Sequence, residues 1–327
     1  MTVALAELLD TARVVALPMA TRFRGVDVRE ALILRGPAGW TEFSPFVEYD
    51  DAESAAWLAA AIDFGWRDIQ LPSGAPDFVR VNATLPAVPA DAVVAILDRF
   101  LGCRTVKVKV AEAGQSLSDD VARVARAREY LGPDGRIRVD ANGGWNVDEA
   151  EHAIHALAEF DLEYAEQPCA TVDELAQIRK RVKYMGIPIA ADESVRKAAD
   201  PIAVARARAA DILVIKAQPL GGIASALRIV KKAKLPVVVS SALDTSIGLA
   251  MGAYLAASIP GGVSFDSGLA TAALLAADVT AAPLLPVDGQ IPVQRVEVDE
   301  NLLTKFAASP ARTDWWLDRL RRTHALL

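Results

Sequence analysis

Cysteine and histidine are scarce: two cysteines, Cys103 and Cys169, and three histidines occur in 327 residues. Neither cysteine belongs to a CxxC pair or to a Cys/His cluster of zinc spacing, so neither a zinc module nor a disulfide framework is expected, and a reducing cytoplasm is the expected compartment. No sign of charge dominates. Lys and Arg number 35 against 42 Asp and Glu, and the basic residues are scattered, so a small molecule is a better partner than nucleic acid or an anionic membrane. The start, MTVALAELLDTARVV, meets Glu7 and Asp10 before any sustained apolar run, unlike a secretory signal. An uncharged stretch of 21 residues, Thr245 to Phe265, is long enough to span a bilayer, yet it holds Gly248, Gly252, Pro260, Gly261 and Gly262. It reads as a buried helix, a turn and a short strand. A Gly-rich phosphate cradle is missing after Asn82, where ATLPAVPAD follows, which argues against an open dinucleotide-binding sheet.

What the chain does have is apolar residues, 52% of the total, arranged in a repeat. From about Val79 to Asp266, a short Val/Ile-rich run closes on one polar residue and an amphipathic stretch follows. The closing residues are Asn82, Lys109, Asp140, Glu166, Asp192, Lys216, Ser240 and Asp266, spaced 24 to 31 apart. Apolar runs of this length suit strands buried on both faces, and helix starts fall between them, such as Ser118-Asp119 and the capping box of Thr171 with Glu174. Eight units predict an α/β fold, a (β/α)8-type barrel over 79–277. Residues 1–78 read as an α+β capping domain, with extended runs and a helix opening at Asp50. Residues 278–327 read as a C-terminal segment packing with that cap, its last helix opening at Ser309-Pro310.

In such a barrel the carboxyl ends of the strands form the mouth, so the closing residues are the candidates for chemistry. Asp140, Glu166 and Asp192 end three consecutive strands, and their mutual repulsion demands a cation. With no His or Cys beside them, an all-oxygen set suits Mg2+, with Mn2+ a possible substitute. Lys107 and Lys109 share one face of a strand and point inward, so burial and their proximity to each other are expected to lower the proton affinity of both. Lys216, four strands on, should face Lys109 across the barrel. Opposed lysines flanking a metal point to removal of a proton next to a carboxylate.

These motifs resemble the enolase superfamily, in its muconate lactonising subgroup: KVK with Lys107 and Lys109, VDANGGW with Asp140 and Asn142, EQP with Glu166, ADES with Asp192, and IK with Lys216. The resemblance spans essentially the whole chain. Within the subgroup, residues 17–46 and the NATLPAV segment at 82–88 look most like the o-succinylbenzoate synthases of menaquinone biosynthesis. The resemblance implies syn dehydration of 2-succinyl-6-hydroxy-2,4-cyclohexadiene-1-carboxylate through an enediolate. It makes Lys109 the base and then the acid, Lys216 the opposed cation, Lys107 the tuner, and Asp140, Glu166 and Asp192 the Mg2+ ligands. Ser240 and Ser241 would bind the succinyl tail, or else cap the next helix. Asn142 is counted with the substrate contacts. Arg138 points the same way as Asp140 and would offset the carboxylates, face substrate or make an ordinary ion pair. Glu193, facing away from Asp192 along a strand, would support the ligands from behind. Met19 to Gly25 reads as a flap over the mouth, with Arg22 and Arg24 available to a dicarboxylate, and no histidine has a catalytic role.

Two rivals stand beside the dehydratase. One is an N-acylamino acid racemase or dipeptide epimerase on the same scaffold; the other is a catalytically retired binding protein. The sequence does not set the oligomeric state, and a monomer is the starting expectation.

Overall fold

The computed structural model describes residues 3–197 and 200–327. Near the N-terminus, β1 (Arg13–Phe23), β2 (Val26–Gly36) and β3 (Gly39–Phe43) form an antiparallel sheet, followed by the helix Asp51–Trp66, whose N-cap Asp50 accepts from the Glu53 amide at 2.7 Å. This is the expected α+β cap. β4 (Phe78–Arg80) stands outside the barrel sheet and pairs antiparallel with a strand near the C-terminus.

The barrel sheet is parallel and contains seven strands among the described residues. In order these are β5 (Ala83–Leu85), β6 (Thr105–Lys109), β7 (Arg136–Asp140), β8 (Leu162–Glu166), β9 (Ile189–Ala191), β10 (Ile212–Ile215) and β11 (Val237–Val239). The partner of β4 is β12 (Gln290–Pro292). Nearly every residue of the seven barrel strands is buried, because helices cover the outside and side chains fill the inside.

Two units depart from the expected repeat. The first strand begins after Asn82 rather than ending on it, since Val79 and Arg80 of the VRV run are recruited by β12. The eighth run forms no regular strand. Two isolated parallel bridges, Val81 with Ser267 and Ser240 with Gly268, complete the ring there, aided by Asn82 N–H to Ser267 O at 2.9 Å and Gly268 N–H to Val239 O at 2.8 Å. Gly261, Gly262 and Gly268 give this run poor strand propensity. Asp266 also lies at the wrong end for catalysis: it accepts from Thr105, at the start of β6, at 2.7 Å and from Arg80 at 3.0 Å. The long uncharged stretch becomes the helix Ser246–Ala257, buried except for Tyr254, and no described helix is long and apolar enough to cross a membrane.

The C-terminal helix Pro310–His324 returns to the cap, where buried Arg319 donates to the carbonyls of Phe46 (3.0 Å) and Tyr49 (2.6 Å), and Trp316 donates to Glu30 at 2.8 Å. Cap and barrel meet through a buried polar joint. Glu42 on β3 is wholly buried and accepts from Thr245 N–H (3.1 Å), Thr245 hydroxyl (2.6 Å) and Gly248 N–H (3.0 Å), so a carboxylate from the cap neutralises the open N-terminus of the helix Ser246–Ala257. Arg29 on β2 reaches the same region, donating to Leu243 O at 2.9 Å and to the Ser44 hydroxyl at 2.9 Å.

Burial, and then the nearness of Asp244, push the Glu42 carboxyl from 4.5 up to about 7, against the pull of Arg29. The folded chain thus holds this proton more tightly than the unfolded chain, so the group's contribution to stability is complete below pH 4.5 and is lost as pH rises to about 7. Thermal melts from about pH 5 to 8 are expected to show the native Tm falling more steeply than that of Glu42→Gln, which does not titrate there. Parallel slopes would mean that Glu42 behaves as an ordinary carboxylate.

Candidate active site

Strand register brings the charged side chains together. Lys109 sits opposite Asp140 and Asp140 opposite Glu166, so β6, β7 and β8 present them side by side, roughly 4.8 Å apart from strand to strand. Glu166 in turn pairs with Ala190 of β9, and the chain leaves that strand at Asp192, which becomes the N-cap of the short helix Glu193–Arg196. Lys216 follows β10 directly. None of Lys107, Lys109, Lys216, Asp140, Glu166 and Asp192 is more than 7% exposed.

The charges are satisfied pairwise. Lys107 Nζ lies 2.8 Å from Glu166 Oε1 and 3.0 Å from Asp140 Oδ2; Lys109 Nζ lies 2.5 Å from the same Asp140 oxygen and 2.7 Å from Asn142 Oδ1. Lys216 Nζ is 2.5 Å from Asp192 Oδ2, and Arg196 Nε is 3.2 Å from Asp192 Oδ1. The three carboxylates expected to gather around a cation are here neutralised by side chains of the protein. Among the described residues no three acidic side chains meet in a metal-holding group, and ammonium groups stand between them instead. The set nonetheless fits a cation, because Glu166 Oε2 is a buried oxygen with no hydrogen-bond donor, and Asp192 Oδ1 makes no hydrogen bond and faces Arg196 only as an ion pair.

The two neighbouring lysines do not shift together as expected. Burial works downward on Lys107, but Asp140 and Glu166 outweigh it and hold this ammonium well above the ordinary lysine range. Lys109 is lowered, by burial first and then by the charge of Lys107, with Asp140 opposing. One lysine is therefore a fixed cation and the other is moved toward service as a base. Burial and then Asp140 push Glu166 up to about 7; Asp192, despite its burial, is pulled down to about 2 by Lys216 and Arg196.

Lys107, Lys109, Lys216, Asn142, Ser240 and Ser241 all line one cleft of about 450 Å³, counting the part open to solvent. Thr245, not either serine, caps the following helix. Ser241 donates to Gly268 O at 2.7 Å and lies 2.9 Å from the Thr271 hydroxyl. Arg138 does not reach the cleft: it is fully buried below it, paired with Glu163, bonded to Asn82 Oδ1 at 3.0 Å and stacked over Tyr164 at 4.9 Å. Glu193 is helical rather than extended, and its carboxylate accepts from Asn142 at 3.2 Å and from Arg196 at 2.7 Å. The segment Met19 to Gly25 is the end of β1 and its hairpin tip, and it reaches the cleft through Phe23 and Arg24, with Arg22 outside the lining. β1 runs to Phe23, and only Arg24 and Gly25, both at positive φ, make the hairpin tip.

Sequence reasoning missed Phe46, Thr84, Arg196, Leu243 and Thr271, which also line the cleft. Arg196 was within reach, since it stands four residues after Asp192, one helical turn, once DESVR is read as helix. Leu243 carried no signal; its left-handed φ of 62° is visible only in the fold. His152 and His155 lie on the outer helix Val147–Leu157, away from the cleft.

Known proteins place this architecture. A family model described as enolase C-terminal domain-like matches residues 91–297, and one described as enolase N-terminal domain-like matches residues 14–65. The o-succinylbenzoate synthase of Thermobifida fusca is 52% identical over 318 residues, covering 96% of each chain. That of Mycobacterium leprae is 52% identical over 324 residues, covering 99% of this chain and 94% of its own. Among solved structures, muconate lactonizing enzyme from Pseudomonas fluorescens complexed with muconolactone superposes with a TM-score of 0.77 at 20% identity, over 91% of this chain and 98% of that one, a likeness of fold. The chain belongs to the enolase superfamily and, within it, to the family of o-succinylbenzoate synthases.

Proposed function

We propose that this chain converts 2-succinyl-6-hydroxy-2,4-cyclohexadiene-1-carboxylate into o-succinylbenzoate and water, as a hydro-lyase of menaquinone biosynthesis. The observation that carries this reading is identity of 52% along nearly the whole chain with relatives that bear this activity in their names. The cleft supports it with a buried lysine on either side.

Lys109, the lysine lowered in proton affinity, takes the proton α to the ring carboxylate. The C–H electron pair moves into the carboxylate; its return expels the β-hydroxyl, and the Lys109 ammonium delivers the proton that lets it leave as water. One lysine serves both transfers because the product gains aromaticity. Lys216 stays charged on the far side, where it steadies the negative charge that develops on the carboxylate. Lys107 keeps its proton and holds Asp140 and Glu166 in place. Asp140, Glu166 and Asp192 would hold a divalent ion, Mg2+ by donor chemistry with Mn2+ as substitute, which when bound supplies further positive charge to the substrate carboxylate. Ser240 and Ser241, with Asn142, contact substrate, the serines at its succinyl arm. Glu193 orients Asn142, and Arg138 supports the barrel floor beneath. The partner is thus a small carboxylate, met in the cytoplasm, where the unpaired Cys103 and Cys169 remain reduced.

One observation favours a second reading. Two lysines on opposite sides of one cleft are also what a racemase of N-acylamino acids or dipeptides requires, as alternating base and acid. A retired binding protein is disfavoured, because a buried cluster of seven charged groups kept without use only lowers stability.

Purified protein with Mg2+ is expected to turn over the cyclohexadiene acid to an aromatic product, followed by ultraviolet absorbance, and EDTA to stop it. Lys109→Ala and Lys216→Ala should fold with a native circular dichroism spectrum and lose at least about 10³-fold in kcat. Well-folded native protein without turnover would reject the synthase reading. Incubation with an N-acylamino acid in D2O is expected to leave its α-proton in place; rapid α-deuteration dependent on both lysines would promote the racemase.

A further inference from the structure

The loop from Ser241 to Thr245 forms one wall of the cleft, through Ser241, Ala242 and Leu243, and it is fastened from outside by the cap. Its backbone is not relaxed. Leu243 has φ 62°, a left-handed conformation that a branched residue rarely adopts and that persists only where surroundings impose it. What imposes it is identifiable. Arg29 is 2% exposed and its Nε donates to Leu243 O at 2.9 Å, while Nη2 reaches Ala242 O at 3.4 Å and the Ser44 hydroxyl at 2.9 Å. Its guanidinium stacks 4.7 Å over the ring of Phe46, itself a wall of the cleft. On the other side of the strained residue, Glu42 fixes Thr245 and Gly248 by three hydrogen bonds and binds the Ser44 hydroxyl. Gly248 is small because it must be: a Cβ there would come within 2.9 Å of Glu42 Oε2 and 2.8 Å of Asp244 Cβ.

We infer that Arg29 and Glu42, two cap residues that do not line the cleft, are positioning residues that set the wall receiving the non-reacting arm of the substrate. Each grips one end of the loop, and Ser44 ties the two together, so the position of Leu243 depends on a cap domain that contributes neither lysine nor carboxylate to the chemistry. Their loss therefore weakens binding of the arm while proton transfer at Lys109 continues. The inference rests on the synthase reading, which supplies the substrate.

Arg29→Lys keeps the charge but not the fork, and Thr245→Val removes one bond to Glu42, together with the helix cap to the Ile247 amide, without touching the cleft. In the full chain, both are expected to raise KM for the cyclohexadiene acid about tenfold, with kcat within about threefold of native. The Kd of o-succinylbenzoate, by calorimetry, should rise in parallel while Tm stays within a few degrees. A purely structural role would lower Tm and the active fraction and leave KM unchanged. Folded variants with native KM and Kd overturn the inference, as does a fall in kcat at native KM. Unfolding of Arg29→Lys together with a native KM in Thr245→Val overturns it as well. Native protein that neither turns over the acid nor binds the product rejects the synthase reading itself, an outcome distinct from either.

Discussion

Three carboxylates buried on neighbouring strands repel one another, and the rest of the active site is arranged around that fact. Asp140, Glu166 and Asp192 are each at most 1% exposed, so water does not screen them. Positive charge has to come from the protein or from a bound cation. In this structure Lys107, Lys109, Lys216 and Arg196 supply it, and the result is uneven: Asp140 and Asp192 are firmly ionised, while Glu166 is left short of countercharge. The same unevenness separates the lysines. Lys107, between two carboxylates, is locked in its charged form, and Lys109, with Lys107 as neighbour, is the one released toward base chemistry.

Holding that cluster requires a rigid frame, and the parallel barrel provides it through register. A slip of one residue between β6 and β7 would turn either the lysines or Asp140 away from the interior. The mouth is finished by other means. β9 ends at Ala191, so Asp192 is aimed by its place at a helix start, with Gln167 accepting from the Asp192 amide at 3.0 Å. Across the cleft, the wall formed by Ala242 and Leu243 is held by the cap. Chemistry is thus fixed by the sheet, and the shape of the pocket by loops that the cap fastens.

The same division governs how much is legible in the sequence. A charged residue at the end of a buried Val/Ile run is costly unless the chain uses it, and a regular interval between such runs places them all at one mouth. The barrel, the two opposed lysines and the acidic trio are therefore visible in the order of residues. The reading fails where a distant segment decides. β12 takes Val79 and Arg80 out of the barrel, and the glycine-rich eighth run is held by isolated bridges that leave Asp266 at the far end. Glu193 reads as strand because nothing local announces that β9 stops so early. Arg138 shares its face with Asp140, yet two residues along a strand is about 7 Å, enough to bury it among Asn82, Glu163 and Tyr164 beneath the cleft. Arg29 and Glu42 give no signal, since the barrel groups they hold lie more than two hundred residues away.

The central claim is that the acidic trio is built for one divalent ion between two opposed amines. A crystal structure of the chain with Mg2+ and o-succinylbenzoate tests it most directly. The account predicts Asp140, Glu166 and Asp192 around a single ion, with the Lys109 and Lys216 ammonium groups drawn off their carboxylates to opposite faces of the ring. An ion bound elsewhere, or both lysines still paired to Asp140 and Asp192 with product in the cleft, would contradict it.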